Sequence, residues 1–128
     1  MTYIDSSVAL AYVLAEARMP SQAFWNSTLV SSRLLAYEVW NRLQKGALTR
    51  AMDQGARALL SGIELVDLSE PVLARALEPW PAPIRTLDAL HLATVDYLGG
   101  RGEAVELASY DNRLLAAARA LGIAIAVL

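Results

Sequence analysis

The chain has no cysteine, and it has one histidine (His91), one lysine (Lys45) and one phenylalanine (Phe24). Without cysteine there is no disulfide framework, no thiolate zinc site and no cysteine nucleophile. A reducing cytoplasm is therefore the expected compartment. Seven glycines and five prolines are too few for a collagen-like or low-complexity chain. Charged residues make up 19% against 55% hydrophobic, a balance that excludes disorder. Long hydrophobic runs are missing too. The longest, Val8–Ala15, falls far short of the roughly 20 residues that a membrane-spanning helix needs. The opening residues carry no basic region and are interrupted by Asp5, so no secretory leader is expected. Thr2 after Met1 gives no myristoylation signal.

What is present amounts to one domain's worth of chain, 128 residues and 13.8 kDa, expected as a single domain over 1–128. Mean hydropathy is +0.35, high for so small a protein. A domain of this size cannot hide all its apolar surface, so an interface with a partner or with itself is expected. The net charge of −2, from 11 basic and 13 acidic residues, is not the basic excess of a typical nucleic-acid binder. The basic set is nevertheless almost all arginine, the better fork for phosphate.

Short β-like runs alternate with helical runs. Strands are expected at Tyr3-Ile4, Leu29–Ser31, Ile63–Val66, Val105–Ala108 and Ile123–Val127. Helices are expected from Ser7 to Glu16, Gln22 to Asn26, Arg33 to Ala47 and Thr49 to Leu60, then one capped by Ser69 and running to Leu77, one capped by Thr86 and running to Leu98, and a last one capped by Asp111. The prolines at 79, 81 and 83 read as a stiff loop between two helices. Alternation of this kind implies an α/β fold, a three-layer α/β/α sandwich with a mostly parallel sheet. In such folds the site lies beyond the carboxyl ends of the strands.

Several acidic residues fall where that edge should be, and each has two readings. Asp5 directly follows a strand; it is a helix N-cap or a site carboxylate. Asp111, after the fourth strand, has the same pair of readings. Asp88 lies on the arc of Leu87, His91, Leu92, Val95 and Leu98, on a helix apolar almost all round. It either answers the helix N-terminus or is a buried carboxylate that needs a partner. Glu38 stands four residues before Arg42, the spacing of a solvated ion pair, or it faces the site. His91 reads as a packed core or interface residue. Asp96 lies about 80° round the helix from Asp88, so a shared site is not required. The three tryptophans and Phe24 read as packing or interface residues. Taken together, clustered carboxylates repel and are tolerated only with cations or raised pKa values. Oxygen donors without thiolates suit a hard ion, Mg²⁺ or Mn²⁺.

Four segments resemble the PIN-domain ribonucleases, and specifically the VapC-type toxins of bacterial toxin–antitoxin pairs. They are Tyr3-Ile4-Asp5-Ser6-Ser7, Ala36-Tyr37-Glu38-Val39, Arg85–Ala93 and Leu107–Leu114, in the family's order and across nearly the whole chain. The resemblance implies that Asp5, Glu38, Asp88 and Asp111 bind divalent metal and carry catalysis, with Ser6 and Ser109 as supporting contacts. The fourth segment departs from the family's commonest form in reading Ser-Tyr-Asp, which sets the Tyr110 ring beside the site and bears most on Asp111.

The implied activity is metal-assisted hydrolysis of RNA, transfer or ribosomal. The implied partners are a cognate antitoxin and a second copy of the chain. An antitoxin contact is expected at Phe24 or Trp25, which on so short a helix point different ways, together with Ala11, Leu14 and Ala15. Two bound divalent ions would turn a net charge of −2 into +2. A phosphoacceptor signalling domain, similar in length and alternation, would need a lysine after a late strand; the only lysine, Lys45, lies in a mid-chain helix. The other alternative is a catalytically silent RNA- or protein-binding module of the same fold, against which the four intact acids stand.

Overall fold

The computed structural model describes residues 1–128. Five strands form one sheet: β1 (Thr2–Ile4), β2 (Leu29–Ser32), β3 (Glu64–Val66), β4 (Glu106–Ala108) and β5 (Ala124–Ile125). Their order is β3-β2-β1-β4-β5, and every neighbouring pair is parallel. The helices are α1 (Ser6–Val13), α2 (Gln22–Trp25), α3 (Leu34–Gln44), α4 (Arg50–Ser61), α5 (Glu70–Leu77), α6 (Thr86–Gly100) and α7 (Asn112–Ala120). This is the expected α/β/α sandwich.

The two-residue period of the strands sorts the core into two clusters. Tyr3, Val30 and Leu107, aligned across β2, β1 and β4, pack with Leu92, Val95 and Leu98 of α6 and Leu114, Ala117 and Ala118 of α7. Ile4, Leu29 and Ala108 face the other way, onto Val8 and Ala9 of α1, Leu35, Val39 and Leu43 of α3, and Ala56 of α4. Phe24, Trp25 and Trp40 border that second cluster and Trp80 borders the first, so the tryptophans are packing residues as expected.

Chain order runs outward from β1 through β2 to β3, then returns to place β4 on the other side of β1. The direction of winding therefore reverses between β1 and β4. Helices leave their strands to opposite faces there, and a crevice opens beyond the strands' carboxyl ends.

Several boundaries differ from the sequence expectation. The last strand is confined to Ala124–Ile125, because only Glu106 and Leu107 of β4 offer it a register. Thr86 is the first residue of α6, not its cap; the cap position is Arg85, which makes no side-chain capping bond, and neither does Ser69 before α5. Leu87 is 43% exposed and not part of the buried arc of α6. Three helices end in the same Schellman geometry, with a left-handed residue just past the cap. In α6 and α7 that residue is Gly102 (φ 86°) and Gly122 (φ 74°); in α1 it is Ala15 (φ 50°), with Glu16 N–H donating to Ala11 C=O at 2.9 Å.

Candidate active site

Asp5 is the first residue beyond β1 and the N-cap of α1. Its Oδ1 accepts from Val8 N–H at 3.3 Å and from Ser7 Oγ at 2.6 Å; its Oδ2 accepts from Ser109 Oγ at 2.7 Å. Both oxygens are engaged in folding the strand–helix turn, Oδ2 by a single bond, and the side chain borders the crevice. Capping and site placement are thus one arrangement. The residue is only 4% exposed, and burial raises its carboxyl above the usual range, against the opposing hydrogen bonds from Ser7 and Ser109.

Ser109 ties β4 into the same knot. Its hydroxyl oxygen accepts Asp111 N–H at 2.9 Å, while Tyr110 N–H donates to Ser7 Oγ at 2.9 Å. Asp111 caps α7, with Oδ1 accepting from Arg113 N–H at 2.9 Å and Leu114 N–H at 3.4 Å. The Tyr110 ring turns toward Arg18, whose guanidinium carbon sits 4.2 Å from the ring centroid.

Asp88 lies half-buried in the first turn of α6. Burial raises its carboxyl, and the negative charges of Asp111 and then Asp5 raise it further, opposed by His91 and Arg85. That cross-talk is the electrostatic sign that the acids share one volume.

Glu38 does not form the expected pair with Arg42. Its Oε2 accepts from Ser6 Oγ at 3.1 Å, and its Oε1 lies 2.5 Å from His91 Nε2. The reason is packing: α3 lies against the α1 face of the sheet with Val39 buried, which turns Glu38 toward α1 and the crevice. His91 is a core residue, as expected, but also a polar one, with Nδ1 2.6 Å from the Tyr3 hydroxyl. Ser7, Tyr3 and the second role of His91 were not foreseen. The available signal was the three-residue spacing of Asp88 and His91 on one helix face, and the two adjacent serines after Asp5.

All four acids line a single cleft of about 540 Å³, together with Ser6, Ser7, His91 and Arg85. Ser109 stands behind Asp5. Asp96 lies outside, exposed and bonded to Arg75 at 2.6 Å. No three acidic or histidine side chains already converge on one cation position. The donor chemistry fits a divalent ion all the same. It is oxygen-rich, it concentrates negative charge, and two of its carboxyls are held above their usual range. Mg²⁺ keeps several of its waters and needs only one or two protein carboxylates, so an open set is compatible with it.

The PIN domain family model matches residues 2–120. The chain belongs to the PIN family. Among curated relatives, ribonuclease VapC46 of Mycobacterium tuberculosis is 35% identical over 96% of this chain and 94% of its own length. Ribonuclease VapC47 of the same organism is 40% identical over 52% of this chain, and that match spans 48% of VapC47. Among solved structures, Mycobacterium tuberculosis VapC20, described as a Sarcin-Ricin loop cleaving toxin, superposes with a TM-score of 0.67 over 91% of this chain and 95% of VapC20, at 18% identity. This PIN chain is thus related to VapC ribonucleases by sequence and to VapC20 by fold.

Proposed function

We propose that this PIN chain is a divalent-metal-dependent endoribonuclease and the toxin of a toxin–antitoxin pair. The observation that carries the reading is the gathering of Asp5, Glu38, Asp88 and Asp111 in one cleft at the sheet's switch point. Those four residues hold Mg²⁺ or Mn²⁺ and are the catalytic set; Ser6, Ser7 and Ser109 orient them. A bound divalent ion supplies Lewis-acid polarisation of a phosphodiester and lowers the pKa of a water. No side-chain nucleophile is needed: water adds at phosphorus, the bond to the 3′-oxygen breaks, and the ends are 5′-phosphate and 3′-hydroxyl. Arg85 and Arg113 border a neighbouring cavity of about 450 Å³ that shares Arg85 and Asp88 with the cleft, a place to hold the phosphates beside the one attacked. RNA is the proposed substrate; VapC20 is described as a Sarcin-Ricin loop cleaving toxin.

The working unit is one domain over 1–128, acting in the cytoplasm. No helix is long and apolar enough to cross a membrane. Leu73 and Leu77 of α5 are exposed, Leu77 at 89%, and line an apolar groove with Trp80 and Ile84, which supports a homodimer. The antitoxin site needs revision from the sequence reading. Ala11 is fully buried, and Phe24 and Trp25 pack edge-to-face on the same core cluster. What remains for a partner is exposed Tyr12, 4.8 Å from Trp25 between ring centroids, with half-buried Leu14 and exposed Ala15 beside it. An arginine from such a partner would pair with the acidic cleft.

The test is cleavage of structured RNA by the purified chain. Activity should require Mn²⁺ or Mg²⁺, stop with chelator, and disappear in Glu38→Gln and Asp88→Asn variants that remain folded. Cleavage that persists in both variants rejects the site; RNA binding without cleavage under every metal condition favours the silent module.

A further inference from the structure

His91 is 2% exposed, and both of its ring nitrogens are engaged. The Tyr3 hydroxyl oxygen accepts Ser32 N–H at 3.1 Å and lies 2.6 Å from His91 Nδ1, to which it donates its proton when the ring is neutral and Nδ1 is bare. An imidazole that accepts at Nδ1 carries its hydrogen at Nε2. That N–H points at Glu38 Oε1, 2.5 Å off. Ser6 donates to the other oxygen of the same carboxylate. The two rings meet edge-on, 78° between planes.

Packing alone does not explain this arrangement. Tyr3 is fully buried and packs with Val30, Leu92 and Val95, and His91 is buried beside it; two apolar side chains would fill the space but leave Ser32 N–H and Glu38 Oε1 without these partners. Glutamate is among the costlier side chains to immobilise. Here Glu38, whose side chain is 15% exposed, is held at both oxygens from two different elements, α6 and α1. The holder on α6 is itself fixed from β1, the central strand. The same helix supplies Asp88 to the cleft, so its placement sets one acid directly and another through His91.

We propose that His91 is a positioning residue for the nuclease site: backed by Tyr3, it aims the Glu38 carboxylate into the cleft before any cation or RNA arrives. His91 does not touch substrate; it acts through Glu38. The proposal rests on the reading of Glu38 as a site carboxylate. Groups that orient metal-binding carboxylates this way are typically worth 10–100-fold in metal affinity or activity.

Because His91 is the chain's only histidine, ¹⁵N NMR of the whole protein reads a single imidazole. The metal-free parent should show the Nε2–H tautomer, and Tyr3→Phe should alter it; an Nδ1–H tautomer in the parent overturns the proposal. Calorimetry with Mn²⁺ gives the second readout. His91→Leu and Tyr3→Phe should each weaken Mn²⁺ binding about 10–100-fold. His91→Gln, whose amide still donates, should recover part of the loss, and in a Glu38→Gln background His91→Leu should add nothing. Parent-like Mn²⁺ binding in folded His91→Leu overturns the proposal. If that variant does not fold, parent-like binding in Tyr3→Phe overturns it instead. A Glu38→Gln protein that binds Mn²⁺ and cleaves RNA like the parent rejects the underlying site reading. Loss in Glu38→Gln with none in Tyr3→Phe, His91→Gln or His91→Leu rejects the positioning role alone.

Discussion

Asp5 is asked to cap α1 and to face the cleft, and two substitutions separate those duties. Asp5→Asn and Asp5→Ala both remove the charge, so the difference between them isolates the hydrogen bonds. Asparagine keeps a side-chain oxygen for Val8 N–H and Ser7 Oγ. Its amide faces Ser109 Oγ, which already accepts from Asp111 N–H, can accept a second bond, and has Ser7 Oγ 3.4 Å away for its own proton. Alanine offers none of this. It forfeits the helix cap, about 1 kcal/mol, and leaves the Ser7 and Ser109 hydroxyls short of an acceptor in a mostly buried turn, about 1 kcal/mol more. The alanine variant should therefore be less stable than the asparagine variant by about 2 kcal/mol, or about 7 °C in Tm for a chain of this length. Thermal and urea unfolding in chelator measure the gap. Both variants should lose Mn²⁺-dependent RNA cleavage. Equal stabilities would refute the capping geometry; full cleavage by the asparagine variant would refute the site.

Burial raises both Asp5 and Asp88 in the folded state. A raised carboxyl favours the fold below its unfolded value, about 3.9, and that contribution is lost as pH rises through the folded value. Denaturant titrations without metal should show stability falling above about pH 4, with a shallower slope in Asp88→Asn; an unchanged slope removes Asp88 from the shared cluster. Ala15→Gly should stabilise the chain by about 0.5–1 kcal/mol, the relief of a left-handed alanine less the added freedom of the unfolded glycine; a loss of stability would mean that the α1 terminus is not strained as described. Leu77→Glu should convert a dimer to a monomer by light scattering and leave unfolding nearly unchanged, since Leu77 is 89% exposed; a dimer that survives the substitution moves the interface elsewhere.

The residues legible in the sequence share a physical reason for being so. Asp5 and Asp111 are N-caps at strand–helix junctions, Asp5 directly after β1 and Asp111 just past the end of β4 at Ala108, and in a parallel sheet that junction is both the cap of a helix and the edge of the crevice. Local chain grammar and site placement coincide there, and reading one yields the other. Asp88 was visible because a carboxylate on an apolar helix demands an account. Glu38 and His91 are different. They meet across 53 positions, through the packing of two helices on opposite faces of the sheet, and nothing local distinguishes their bond from an ion pair with Arg42 or a packed ring.

The premise behind the antitoxin contact, that Phe24 and Trp25 cannot share one core, is corrected for a related reason. Neighbours on a one-turn helix diverge in direction, yet Phe24 and Trp25 reach the same cluster because their rings meet edge-to-face at 5.1 Å. Side-chain length absorbed the divergence that backbone geometry predicted. Residues that serve the site from within a strand–helix junction are therefore fixed by local sequence, whereas those that serve it from mid-helix are fixed by the sheet between them. In this PIN chain the central strand joins the two kinds: Tyr3 holds His91 behind the cleft, and Asp5, two residues on, opens it.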